Sequence, residues 1–96
     1  MERTLAEFIV YLHTTKNTSA NTEISYQRDL RKLIRYLQEQ DICDFVEVTS
    51  LDLKAYLSEL KNENLASSTI SRNIASIRAM FQYLFKEGRI KADPSG

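Results

Sequence analysis

The sequence predicts an all-α fold, a four-helix bundle. Four stretches carry apolar residues at helical spacing, and none shows sustained strand alternation. Only two glycines and one proline occur in 96 residues, too few turn formers for most all-β folds.

The first helix is predicted over about 4–15. Thr4-x-x-Glu7 has the spacing of a capping box, and Leu5, Phe8, Ile9 and Leu12 then follow at i, i+3, i+4, i+7. The polar run 14–19 ends it. The second spans about 20–40, with Ser19 as the N-cap. Tyr26, Leu30, Leu33, Ile34 and Leu37 fall on one side of its wheel, and Arg28, Arg31, Lys32 and Arg35 on the other. A connector holding Ile42, Phe45 and Val48 should tuck beneath the bundle. The third helix covers about 50–62, capped by Thr49 or Ser50, with Leu53, Tyr56, Leu57 and Leu60 as its stripe. The fourth covers about 68–87, capped by Ser67 or Ser68, and Gly88 suits the left-handed residue that follows a helix. Its stripe reads Ile70, Ile74, Ile77, Phe81, Leu84 and Phe85. Thr69, Arg72, Ser76 and Tyr83 are placed on its far side, with Ala79 among them. Pro94 pushes Asp93 out of helical geometry. Residues 1–92 thus read as one domain and 93–96 as the start of a linker.

A chain of 11.1 kDa makes one modest core and exposes roughly 5,600 Å². No apolar run approaches the ~18 residues of a membrane span. Met1-Glu2-Arg3 opens straight into an amphipathic segment, without a signal peptide's apolar region. Cys43 is the single cysteine and has no intrachain disulfide partner; it is expected to be a semi-buried apolar residue in a reducing, cytoplasmic setting.

Thirteen basic and thirteen acidic residues cancel, which at face value argues against nucleic acid. Their distribution does not. Residues 1–38 carry a net +2, 39–66 a net −5 and 67–96 a net +3, so basic flanks can present a locally positive face.

Catalytic constellations are missing from the sequence. His13, the one histidine, lacks a second histidine, a nearby cysteine or a paired carboxylate in a defined motif; it reads as a surface residue near a helix end. No glycine-rich loop could cradle a phosphate, and no acidic run has a calcium-loop spacing. No cofactor, no metal and no enzymatic activity of this chain are expected. The basic row Arg28, Arg31, Lys32 and Arg35 could instead line a phosphate backbone, with Arg28, Lys32 and Arg35 as the candidate contacts. Ser68, Thr69, Arg72 and Ser76 come from the first turns of the fourth helix, where hydroxyls and amides take phosphates and an arginine can reach guanine O6 and N7.

Two strings then point to a family. Ser19-x-Asn21-Thr22-x-x-x-Tyr26-x-x-Asp29-Leu30 resembles the second-helix signature of the N-terminal core-binding domain of tyrosine recombinases, the phage-integrase and Xer group. Leu65-x-x-Ser68-Thr69-Ile70-x-Arg72-x-Ile74-x-x-Ile77-Arg78 resembles its fourth helix, and Phe81, Tyr83-Leu84, Gly88 and Pro94 continue the likeness. The resemblance implies a SAM-like four-helix orthogonal bundle. It implies double-stranded DNA as partner, clamped through the second and fourth helices during DNA recombination and integration. It also implies a catalytic domain elsewhere in the polypeptide, and recombinase protomers that act as a tetramer. Carried over by position, Thr22, Ser25 and Arg28 are second-helix contacts, and Ser68, Thr69, Arg72 and Ser76 are fourth-helix contacts. The alternative for Thr22 is a first-turn structural hydroxyl, while Asp29 reads as a partner to a neighbouring helix and Tyr26 as a core residue. The alternative function is a helical protein–protein interaction module, its acidic middle mating with basic faces.

Overall fold

The computed structural model describes residues 1–95. Its elements are α1 (Glu2–Thr15), α2 (Ala20–Glu39), a single 3₁₀ turn at Phe45–Glu47, α3 (Ser50–Asn62) and α4 (Ser67–Lys86). The Cα radius of gyration is 12.8 Å, close to the ~12.5 Å of a compact domain of this length. No helix among the described residues is long and apolar enough to cross a membrane.

Helices α2 and α4 form the spine. Each packs against the other three, whereas α1 and α3 flank them without packing on one another. The reason is the breadth of their apolar faces. Leu30, Leu33, Ile34 and Leu37 of α2 are wholly buried, and α4 contributes Ile77, Met80, Phe81 and Leu84. Leu5, Phe8 and Leu12 close the core from α1, and Leu53, Tyr56 and Leu60 from α3. The connector behaves as expected: Phe45 and Val48 are buried, Ile42 packs at the edge, and Phe45 meets Phe81 edge-on at 5.7 Å.

The helix ends obey local chemistry, though not always the chemistry expected. Ser19 caps α2, its Oγ accepting from the Thr22 amide at 3.2 Å. Thr49 caps α3 in a full capping box with Asp52, the Thr49 amide donating to the Asp52 carboxylate at 2.8 Å. The Thr4–Glu7 box does not form. Helix α1 already begins at Glu2, so Thr4 lies inside its first turn, and Glu7 instead receives Arg89 Nη2 at 3.0 Å. Helix α4 begins at Ser67 with Ala66 as N-cap, so neither Ser67 nor Ser68 caps it. Each helix is followed, one residue past its C-cap, by a left-handed residue: Asn17, Asp41, Asn64 and Gly88. After α4, Arg89 N–H donates to Leu84 O at 2.9 Å and Gly88 N–H to Phe85 O at 3.1 Å, the two bonds of a Schellman ending.

The α4 wheel requires correction. Ser76 and Tyr83, expected outward, are buried, while Phe85, expected in the stripe, is half in solvent. The buried arc includes Asn73, Ser76, Met80 and Tyr83, so it is turned by about 70° from the purely apolar one, at 100° per residue. An aromatic cluster draws Tyr83 inward: its ring lies 4.7 Å from Tyr11 and 5.4 Å from Phe8, which also meets Tyr26 at 6.1 Å. Cys43 is exposed rather than semi-buried, because it sits in the loop just ahead of the 3₁₀ turn.

Candidate nucleic-acid interface

Contacts along the spine run in opposite senses on its two helices. Asn21, Thr22, Ser25 and Tyr26 of α2 share a cleft with Arg72, Ala75 and Ser76 of α4. Further along α2, Asp29 binds Arg72, and Lys32 binds Glu63, which lies before α4 begins. The open cleft, of about 320 Å³, brings together four of the residues singled out from sequence: Thr22, Ser25, Arg72 and Ser76.

A polar triad adjoins it, with Asp29 and Ser76 buried and Arg72 reaching solvent. The Asp29 carboxylate, 3% exposed, accepts from Arg72 Nε at 3.0 Å and Nη2 at 2.9 Å. Ser76 Oγ lies 3.0 Å from Asp29 Oδ2 and 3.1 Å from the Arg72 carbonyl oxygen. One hydroxyl proton serves one acceptor at a time, and the ionised carboxylate is the stronger. The Ser76 side chain is thereby turned into the bundle. It is not a surface hydroxyl, which corrects its expected outward placement. Arg72 keeps 44% of its side chain in solvent, and the hydrogen bonds and charge of Asp29 hold its guanidinium firmly protonated.

The other candidate residues divide. Thr22 is exposed and its Oγ1 lies 2.8 Å from Ser19 Oγ, so it belongs to the α2 cap as well as to the cleft. Ser25 is half-buried and Arg28 is exposed. Ser68 is exposed on the first turn of α4; Thr69 is half-buried, its carbonyl accepting from Asn73 Nδ2 at 2.9 Å. Lys32 and Arg35 line a different cleft, between α2 and α3, with Tyr36, Glu39, Tyr56, Glu59 and Glu63. Lys32 Nζ is 2.9 Å from Glu63, and Arg31 turns 3.7 Å from Glu2. The basic row of α2 therefore does not present four unpaired cations. Among the described residues, Arg28 and Arg35 pair with no carboxylate.

Sequence reasoning missed Asn21 and Ala75 as cleft residues. The signal was present: Asn21 precedes Ser25 by four residues and Ala75 follows Arg72 by three, spacings that share a helix face. The absence of a side-chain cap on α4 was also missed. It leaves the first-turn amides beside Ser68 without a side-chain acceptor.

A family model described as the phage integrase N-terminal SAM-like domain matches residues 5–88. The chain belongs to this family. Within the SAM-like group its relatives are recombinases by name. It is 38% identical over 88 residues to the tyrosine recombinase XerC of Listeria welshimeri, covering 92% of this chain and 29% of that protein. A putative tyrosine recombinase of Caldanaerobacter subterraneus is 36% identical across 98% of this chain and 32% of its own length. The tyrosine recombinase XerD of Oceanobacillus iheyensis is 32% identical across 99% and 32%. The chain thus spans about three tenths of the length of these relatives. The SAM-like assignment agrees with the four helices described.

Proposed function

We propose that this chain is the DNA-binding arm of a site-specific tyrosine recombinase, clamping duplex DNA through α2 and α4 while a catalytic domain elsewhere in the polypeptide cuts and rejoins the strands. The observation that carries the reading is the α2–α4 cleft. It gathers Thr22, Ser25 and the solvent-facing guanidinium of Arg72, and Ser68, on the uncapped first turn of α4, precedes Arg72 by one helical turn. Hydroxyls and helix-terminal amides suit phosphate oxygens, and arginine suits a guanine edge. Thr69 follows Ser68 on α4, and Arg28 comes three residues after Ser25 on α2, so we count both with this surface. Residues 93–96 begin the connection to the catalytic domain, and other recombinase protomers in a tetramer complete the assembly.

Electrostatics set the strength. Lys32 must exchange Glu63 for a phosphate, which is cheap because an exposed pair is worth about 0–1 kcal/mol. Arg35 needs no such exchange. With zero net charge, the chain alone should bind random duplex near the roughly 10⁻⁴–10⁻⁶ M of non-specific contacts.

A titration of the labelled chain with duplex DNA at low salt tests this. Amide shifts are expected across 21–35 and 67–76, and affinity should fall as salt rises, with a slope of about one per phosphate contacted. Shifts confined to the acidic 39–66 region, or none, would overturn the reading.

A further inference from the structure

We infer that Asp29 is a positioning residue for DNA reading: it fixes the orientation of Arg72 so that one end of the guanidinium is presented outward as a ready two-point donor. This rests on the DNA-binding reading above and goes beyond it, because Asp29 itself, an anion, would touch no DNA.

The atoms carry the argument. A guanidinium has five N–H donors in a rigid plane. Asp29 takes one donor from Nε and one from Nη2, along the side edge. The second Nη2 proton and both Nη1 protons keep no protein partner among the described residues. A side-edge pairing leaves the end-on fork, one proton from each terminal nitrogen, intact and pointing away from the carboxylate. That fork matches the O6 and N7 pair of guanine. The carboxylate is in turn fixed by its burial and by Ser76 Oγ at 3.0 Å. Arg72 therefore loses little further rotamer freedom on docking, the general advantage of a preorganised donor. Lysine in its place would retain the charge and the attraction to Asp29 but not the planar fork.

An isolated acid beside a DNA surface predicts the opposite behaviour. Removing it should simply strengthen binding, because one repulsive charge disappears. The two roles are separated by measuring base preference and bulk affinity together. The 96-residue chain and its D29N, R72K and D29N/R72K variants are each used to select from a pool of random-sequence duplexes at one low salt concentration. Affinity for unselected duplex is measured alongside, with thermal melts confirming that each variant is folded at the working temperature.

The wild type should enrich one base pair by roughly five- to hundredfold, the range for a good two-point contact. R72K should flatten that preference, with affinity for unselected duplex falling by less than affinity for the selected site. D29N should flatten the same position while bulk affinity stays level or rises, and the double variant should lose nothing more. Ser76→Ala should flatten it partly, and serves where D29N proves too unstable. Retention of the wild-type preference by folded D29N and S76A overturns the inference, as does a preference that R72K leaves untouched. Failure of the wild type to bind any duplex would instead overturn the DNA-binding reading beneath it.

Discussion

Asp29 on α2 and Arg72 on α4 meet through two parallel hydrogen bonds of 2.9 and 3.0 Å, yet one partner is 3% exposed and the other 44%. The asymmetry predicts unequal costs. Arg72→Ala strands a buried carboxylate with only Ser76 to satisfy it, and should cost about 2–3 kcal/mol. Asp29→Ala leaves an arginine whose free end already reaches water, so it should cost about 1 kcal/mol less. Urea denaturation of the two variants checks the order; an equal or inverted loss would show that solvent already screens Asp29.

That ion pair also shows where sequence reading succeeds and where it stops. Asp29, in the first string, was readable as a partner for a neighbouring helix, and α2 kept its apolar side because Leu30, Leu33, Ile34 and Leu37 leave no other face to bury. Helix α4 was harder. Its buried arc includes Asn73 and Ser76, polar residues that a hydropathy pattern assigns to solvent. Ser76 is satisfied inside by Asp29, and Asn73 in part, its Nδ2 donating to Thr69 O while its buried Oδ1 has no partner among the described residues. Such partners lie on another helix or depend on rotamer, and neither is visible along one strand of text. Likewise Lys32 and Arg31 look like free cations until Glu63 and Glu2 are brought beside them by the fold.

Helix caps give a paired prediction. Thr49→Ala removes one half of a formed capping box and should cost about 1 kcal/mol. Thr4→Ala, in a box that its sequence suggests but its helix start forbids, should change stability by less than about 0.5 kcal/mol. Thermal melts of both variants test this; equal losses would place the start of α1 nearer Thr4.

Tyr56 carries a buried hydroxyl with no hydrogen-bond partner, and its burial, aided by the nearby charge of Asp29, pushes its pKa well above the ordinary value. Tyr56→Phe should therefore be neutral or stabilising near pH 7, since it removes an unsatisfied polar atom while keeping the ring beside Tyr36. The alkaline sign follows from linkage. Above about pH 10 the unfolded tyrosine gives up its proton while the folded one holds it, so stability falls as pH rises. The phenylalanine variant lacks this contribution and should lose less stability above pH 10 than the parent. A denaturation series from neutral to alkaline pH reads both effects, and a marked loss at pH 7 would mean that the hydroxyl is satisfied.

The ending of α4 yields a test of backbone strain alone. Gly88 holds φ +70°, and a Cβ built on it would meet no atom within 4 Å. Any cost of Gly88→Ala is thus conformational and should be about 1–2 kcal/mol. Asn64, at φ 59° after α3, occupies the same region with a residue that tolerates it less well than glycine, so Asn64→Gly should be neutral or slightly stabilising. Gly88→Ala should lower stability and Asn64→Gly should not, and equilibrium unfolding measures both. The Schellman bonds from Gly88 and Arg89 turn the chain back so that the Arg89 guanidinium reaches Glu7 on α1 and Ile90 packs against the core. If Gly88→Ala also disorders residues 89–95, hydrogen exchange there should rise beyond the global change. A left-handed glycine would then be what points the exit of this bundle.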